Sequence, residues 1–257
     1  MVTGLIGRAS GGGRATSFEW TARLCGALAL ILLPWAAQGD HLAEYHYTVM
    51  RDGAAIGTHR VSVSPQGENV EVETETSLEV AFGPLTLYAM EHQRHEVWRD
   101  GELEEMAAHT NKNGDVYDIA ISRDPEGYTR VINGRMDRFD PSIKLLALWH
   151  EDLFKFSSFL SPIEDKTYEI SVDFIGADKV NLINQSVDAF AYRMSGDTNR
   201  ELWYDADGHI IKVRLLDHST AIEYVLNSPS GETRKLAKTS RAAPNPRGPD
   251  TRLAARR

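Results

Sequence analysis

The chain has 257 residues, 42% hydrophobic and 25% charged, with a formal net charge of −9. Its ends are basic, net +2 over residues 1–39 and +6 over 229–257, which leaves −17 on residues 40–228. A body this acidic repels phosphate backbones and excludes nucleic acid as its partner. The lone cysteine, Cys25, leaves no disulfide framework and no thiol nucleophile after residue 39.

Taken from the front, Arg8, Arg14 and Arg23 precede the apolar run Leu24 to Trp35, and Ala36-Ala37-Gln38-Gly39 follows. Basic residues, a short apolar run and then small residues are the order of a signal peptide. This predicts a leader over 1–39, Asp40 as the first mature residue, and a periplasmic or secreted protein. The run is too short to span a hydrocarbon core of about 30 Å, so no stable transmembrane span is expected after cleavage. Retention of the segment as an anchor is the alternative. Cys25 opens the apolar run rather than following it, which does not match a lipid-modified cysteine.

The stretch Val49 to Val63 (VMRDGAAIGTHRVSV) sets two glycines, Gly53 and Gly57, after Asp52. A phosphate loop would need a following helix and a G-K-[ST] or G-x-G-x-x-G pattern. Thr58 to Val63 instead alternates as a strand, so the stretch reads as a hairpin. Gly53 fits the turn, and Gly57 fits a strand position where the backbone bends or packs closely.

Period two continues downstream. Val70, Val72, Thr74, Thr76, Leu78 and Val80 share one face, while Glu71, Glu73, Glu75 and Glu79 share the other, as in a strand with one wet side. Leu85 to Trp98 also alternates. Within it, Glu91, His92, His95 and Glu96 offer metal-ligand chemistry, but a strand sends His92 and His95 to opposite faces. Neither a metal nor any other cofactor is expected. Gln66-Gly67, Asn113-Gly114, Glu126-Gly127 and Asn133-Gly134 punctuate the chain as turns.

Asp140-Pro141 then introduces Ile143, Leu146, Ala147, His150, Leu153 and Phe154 at near-helical spacing, ended by Ser161-Pro162. Asp as a cap and Pro at the first position predict one amphipathic helix here. Its Trp149, Leu153, Phe154 and Phe156 are the candidate residues of a ligand cavity, with the helix as either lid or plug. Alternation returns around Tyr168–Phe174, Phe190–Met194, Ile211–Leu215 and Ile222–Leu226. From Pro229 onward the chain is basic and lacks a periodic apolar face, as a disordered tail would.

Several strings in order resemble an uncharacterised family of secreted bacterial β-rich domains. They are Tyr47-Thr48-Val49, Asp52-Gly53, Ile56-Gly57-Thr58-His59, Glu96-Val97-Trp98, Gly101-Glu102-Leu103, the Pro141–Trp149 region, and Leu202-Trp203-Tyr204-Asp205 with Gly208. The resemblance covers about residues 43–228. It implies an exported β-rich protein and brings no catalytic residues with it.

The expected fold is mainly β, one domain over residues 40–228. It is a large curved antiparallel sheet or partly open barrel of about 10–12 strands, with the helix in its concave face. The expected role is non-catalytic binding of an apolar or amphipathic ligand, such as a lipid, or of an envelope protein. Two alternatives stand beside it: a periplasmic hydrolase or metal-dependent enzyme built on His92 and His95, and a purely structural envelope protein.

Overall fold

Alternation of inward and outward side chains accounts for most of the elements in the computed structural model. It describes residues 43–216 and 220–227; the leader-like segment 1–39 and the basic tail 229–257 lie outside the described residues. The strands, in chain order, are β1 (Ala43–Arg51), β2 (Ala54–Gln66), β3 (Asn69–Phe82), β4 (Leu85–Arg99) and β5 (Glu102–Lys112). Then come β6 (Asp115–Asp124), β7 (Gly127–Ile132), β8 (Arg135–Phe139), β9 (Lys144–Leu145) and β10 (Ser158–Leu160). The last are β11 (Thr167–Asn181), β12 (Ser186–Gly196), β13 (Arg200–Tyr204), β14 (Ile210–Leu215) and β15 (Ile222–Leu226). In β3 the alternation is direct: Val72, Thr74, Thr76 and Leu78 are buried, whereas Glu73, Glu75 and Glu79 are exposed.

Tight turns join these strands where the sequence places Asp-Gly or Asn-Gly. Asp52 and Gly53, for example, take φ of 49° and 82°, the left-handed pair that a two-residue hairpin needs. Gly57 has a different role. A Cβ added there would lie 2.0 Å from the carbonyl oxygen of Ser77, so β2 can approach β3 only as glycine. The β1–β2 register also shifts beside it, between Val49 and Met50.

All 15 strands belong to one sheet, in the order β8-β7-β6-β5-β4-β3-β2-β1-β15-β14-β13-β12-β11-β10-β9. Neighbours in sequence are neighbours in space, except that β8 and β9 lie at opposite edges and that β1 pairs with β15 and joins the two halves. Pairing is antiparallel apart from the short parallel contact of β9 with β10. The sheet does not close into a barrel. Side chains bridge the two halves instead: the buried Arg130 of β7 donates to Asp165 Oδ1 at 2.9 Å and to the Lys166 carbonyl at 3.2 Å. Likewise Lys144 of β9 reaches Glu102 of β5 at 2.9 Å.

The segment between β8 and β11 is not the expected amphipathic helix. Among the described residues it contains a four-residue 3-10 turn, Glu151–Phe154, between the two short strands. The reason is two-sided burial. Leu145, Ala147 and Trp149 pack on the cluster of Val72, Trp98, Met106 and Ile121. Leu146, Leu148 and Leu153 pack on the opposite cluster, with Met194, Leu202, Tyr204 and Val213. An extended chain with both faces buried gives an unbroken apolar run, and such a run mimics helical spacing. Asp140 acts locally rather than as a helix cap: its carboxylate accepts from Ser142 N at 2.9 Å, and its carbonyl accepts from Ile143 N at 3.0 Å. The plug is held by Leu146 N to the Leu160 carbonyl at 3.0 Å and by Tyr204 Oη to the Leu148 carbonyl at 2.7 Å.

Two substitutions separate these constraints. Gly57→Ala is expected to destabilise by about 2 kcal/mol or more through overpacking against backbone. Leu146→Ala is expected to cost about 2–5 kcal/mol by leaving a cavity in the plug. Urea unfolding of both variants checks this, and a Gly57→Ala protein as stable as the parent would refute the close-approach account.

Candidate functional site: an internal cavity

The plug fills part of the sheet's concave side and leaves a cavity of about 900 Å³ beside it. Strands β1 to β4 and β13 to β15 supply most of the wall, and the plug residues Leu146, Leu148, Trp149 and Ser161 to Glu164, with Lys166, Tyr168 and Lys112, supply much of the rest. Much of the wall is apolar, including Ile56, Val61, Leu78, Met90, Val213 and Ile222.

A polar row crosses this apolar wall. Tyr47, His59, Thr76, His92 and Thr110 are successive cross-strand partners on β1 through β5. Because register and pleat are shared, all of them take the same face of the sheet. Neighbours in the row satisfy one another: His59 Nδ1 lies 2.7 Å from Thr76 Oγ1, and His92 Nδ1 lies 2.8 Å from Thr110 Oγ1. Tyr47 Oη donates to the Ile210 carbonyl at 2.8 Å. His59 is also packed by rings, edge-on to Tyr224 at 5.4 Å.

Burial keeps this row uncharged. Desolvation, followed by the nearby Arg94 charge, lowers His59 to about 3. The same two causes, with smaller effects from His59 and His109, lower His92 to about 3. Desolvation raises the Tyr47 phenol well above its ordinary value and Tyr224 to about 12. Both imidazoles and both phenols are therefore neutral near pH 7.

One step along β4, Arg94 brings a full charge to the wall. Its Nη2 donates to Thr74 Oγ1 at 3.3 Å. Its Nε sits 2.6 Å from Glu96 Oε1, yet the N–H is not aimed at that oxygen, so the pairing there is Coulombic. Glu96, with 0% exposure, accepts from Trp98 Nε1 at 2.6 Å through its other oxygen. Trp98 in turn stacks on His150 of the plug at 4.3 Å. Charge, aromatic packing and the plug are thus one connected unit, and Glu96 is committed to structure.

Among the described wall residues, buried polar atoms with no hydrogen-bond partner include His92 Nε2, on a residue 3% exposed, the indole N–H of Trp149, and His209 Nε2. Such atoms are uncommon, and these lie within the wall just behind the cavity surface. Towards one end of the cavity stand Arg51, which donates to Thr220 Oγ1 at 3.2 Å, and Lys112, paired with Glu164 at 3.2 Å. Burial pushes the Glu164 carboxyl up, but hydrogen bonds and charges from Lys166 and Lys112 outweigh it and hold the group below its ordinary value.

The residues expected from the sequence to line a cavity divide. Trp149 is on the wall. Leu153 is fully buried on the opposite side of the plug. Phe154 packs there against Tyr192 at 5.1 Å and Tyr204 at 5.7 Å, and Phe156 lies beneath the Lys144 ammonium at 4.9 Å. The His–Glu string divides as well. His92 and Glu96 face inward; Glu91, which accepts from Ser77 Oγ at 2.7 Å, is on the outer face with His95. His59, Arg94 and Tyr224 were not singled out from the sequence as site residues. The available signal was polar residues at inward positions of adjacent amphipathic strands, and it becomes visible only with the register.

Asp205, Asp207 and His209 bring three potential metal-ligating atoms within 4.8 Å of one another. Asp205 is already engaged there as a turn former, accepting from Asp207 N and His209 N, each at 2.9 Å.

Fold and cavity together define a mainly β protein whose large open sheet carries a cavity open on one side. Residues 47–227 match the family described as a domain of unknown function, DUF6134, and the chain belongs to that family. In structure it is similar to the β-barrel-like protein of domain of unknown function DUF1849 from Brucella abortus, solved by crystallography. That similarity has a TM-score of 0.54 at 8% identity, over 71% of this chain and 94% of the other, and it speaks to fold alone. No curated protein matches the chain in sequence.

The neutral imidazoles set a direction for stability against pH. Their folded values lie below the unfolded value of about 6.5, so between there and about 3 the unfolded chain binds more protons. Stability is therefore lost as pH falls through this window, at up to about 1.4 kcal/mol per pH unit for each histidine. The His59→Gln/His92→Gln double variant should show a shallower loss between pH 6 and 4 in urea titrations. An unchanged slope would refute the assignment.

Proposed function

We propose that this protein is an exported envelope protein that binds an apolar or amphipathic ligand, such as a lipid, inside the cavity without transforming it. The observation that carries this reading is the chamber of about 900 Å³, with mainly apolar walls crossed by one polar row. Ligand sites are commonly about 300–1,000 Å³, mostly apolar with a few placed polar groups. The apolar part of the ligand would lie against Leu78, Met90, Val213 and Ile222. Its polar group would accept from the Trp149 indole and meet His92 Nε2, both of which lack protein partners. Export is supported by the leader-like order of residues 1–39.

An enzyme reading has less support. Glu91 and His95 occupy the opposite face of β4 from His92, and Glu96 is held by Trp98 and Arg94. A purely structural role would leave the chamber and its unpartnered donors without a purpose.

Delipidated protein titrated with a fluorescent fatty acid should bind with saturable, one-site enhancement. Trp149→Phe keeps an aromatic side chain but removes the N–H donor, and should weaken binding about tenfold, the worth of one hydrogen bond of ~1.4 kcal/mol. Ile56→Trp, which intrudes on the chamber, should weaken it further while leaving urea stability within about 1 kcal/mol. Unaltered affinity in both variants would contradict binding inside the chamber.

A further inference from the structure

The cavity wall leads at one end to an unusual hairpin. The β2–β3 ladder stops at the pair Gly57 and Leu78, and the β4–β5 ladder stops at Met90 and Lys112. Beyond those pairs, β3 and β4 are laddered to each other alone among the described residues. Four further residues of β3, Glu79 to Phe82, carry the hairpin outward by about 13 Å at the usual strand rise.

Beyond Glu79, what projects is apolar and uncharged. Residues 80–89 (VAFGPLTLYA) contain no Asp, Glu, Lys or Arg, in a chain that is 25% charged. Phe82, Leu85 and Leu87 are 78%, 59% and 56% exposed. The register shifts after Val80, which pairs with Tyr88 while Ala81 pairs with Thr86, so Leu87 is an extra residue on the tip. Exposed strands are ordinarily protected by charge, and this tip has one charged residue, Glu79 at its base, which accepts from Thr86 Oγ1 at 3.2 Å.

The same hairpin contributes to the chamber. Val80 and Tyr88, directly below the tip, line the cavity with Ile56 and Arg51. Apolar surface is thus continuous from the exposed tip into the interior.

We infer that the β3–β4 hairpin docks the protein on a lipid surface by inserting Phe82, Leu85 and Leu87 among the acyl chains, which brings the cavity mouth to the bilayer. A narrow convex tip with no polar rim suits a fluid apolar medium better than a flat protein interface, where the rim is polar. The outer edges of this two-stranded tip have no ladder partner, so insertion is shallow, with the side chains reaching past the headgroups while the backbone edges stay hydrated, and Pro84 at the turn has no N–H to desolvate. The net −17 of residues 40–228 opposes an anionic surface, so the matching lipid is zwitterionic. Docking gives the chamber of the proposed function a source of ligand, and it rests on that reading for its purpose alone.

The test is cosedimentation of the full chain with phosphatidylcholine vesicles, which give the basic tail no net charge to bind. The parent protein should sediment with them equally in low salt and in about 0.5 M salt, where surface electrostatics are screened. Phe82→Ser/Leu85→Ser/Leu87→Ser should reduce partitioning at least tenfold while leaving fatty-acid probe affinity and thermal unfolding unchanged. The inference is overturned if the parent stays in the supernatant, or if the triple variant sediments like the parent. It is also overturned if binding occurs solely on phosphatidylglycerol vesicles and is abolished by salt, which would assign it to residues 229–257. Loss of probe binding with intact vesicle binding would sink the proposed function and leave docking standing.

Discussion

A sheet of 15 strands that curls without closing must cover its own concave face, and this constraint shapes the rest of the molecule. The chain solves it by passing from the β8 edge to the opposite edge through the interior. Leu145 and Ala147 are spent on one half of the sheet, and Leu146 and Leu153 on the other. Each fully buried side chain of this size contributes about 1.5–3 kcal/mol relative to exposure, so the plug is a principal source of stability and not an ornament. It is short, however. The portion of the sheet it fails to cover becomes the chamber.

The chamber's chemistry follows from strand register. Cross-strand neighbours on one face meet automatically, so polar residues at matching inward positions of β1 to β5 become a continuous row. Burial makes that row neutral, and the threonine hydroxyls satisfy one nitrogen of each imidazole. The charge beside the row, Arg94, is balanced by a fully buried glutamate that Trp98 also holds. Removing Glu96 alone would leave a buried cation uncompensated, which is costlier than never having had the pair. The site is consequently polar enough to orient a ligand and apolar enough to retain its body.

Much of the architecture was legible from the sequence, because strands announce themselves by period two. The Val70–Val80 alternation and the Asp52-Gly53 turn appear in the structure as read. The tight packing at Gly57 was visible too, though not the carbonyl that causes it. The plug misled for a physical reason. A strand buried on one face alternates, but a segment buried on both has no polar phase, and Leu145 to Leu148 then satisfies a helical template by default. Asp140-Pro141 added to the error, because an Asx turn and a helix cap use the same side-chain oxygen on nearby amides. Trp149 lies in the aromatic-rich segment that the sequence sets apart, whereas His59 and Arg94 depended on knowing which strands lie side by side. The β3–β4 tip was readable in retrospect as ten residues without charge.

The central claim is that the chamber is occupied in the cell by an apolar or amphipathic small molecule. Native mass spectrometry of protein purified under native conditions, before and after delipidation, tests it most directly. The account predicts an adduct of lipid-like mass at one per chain that delipidation removes and Trp149→Phe diminishes. A clean apo mass from gently prepared material, with no adduct regained on adding lipid, would contradict it.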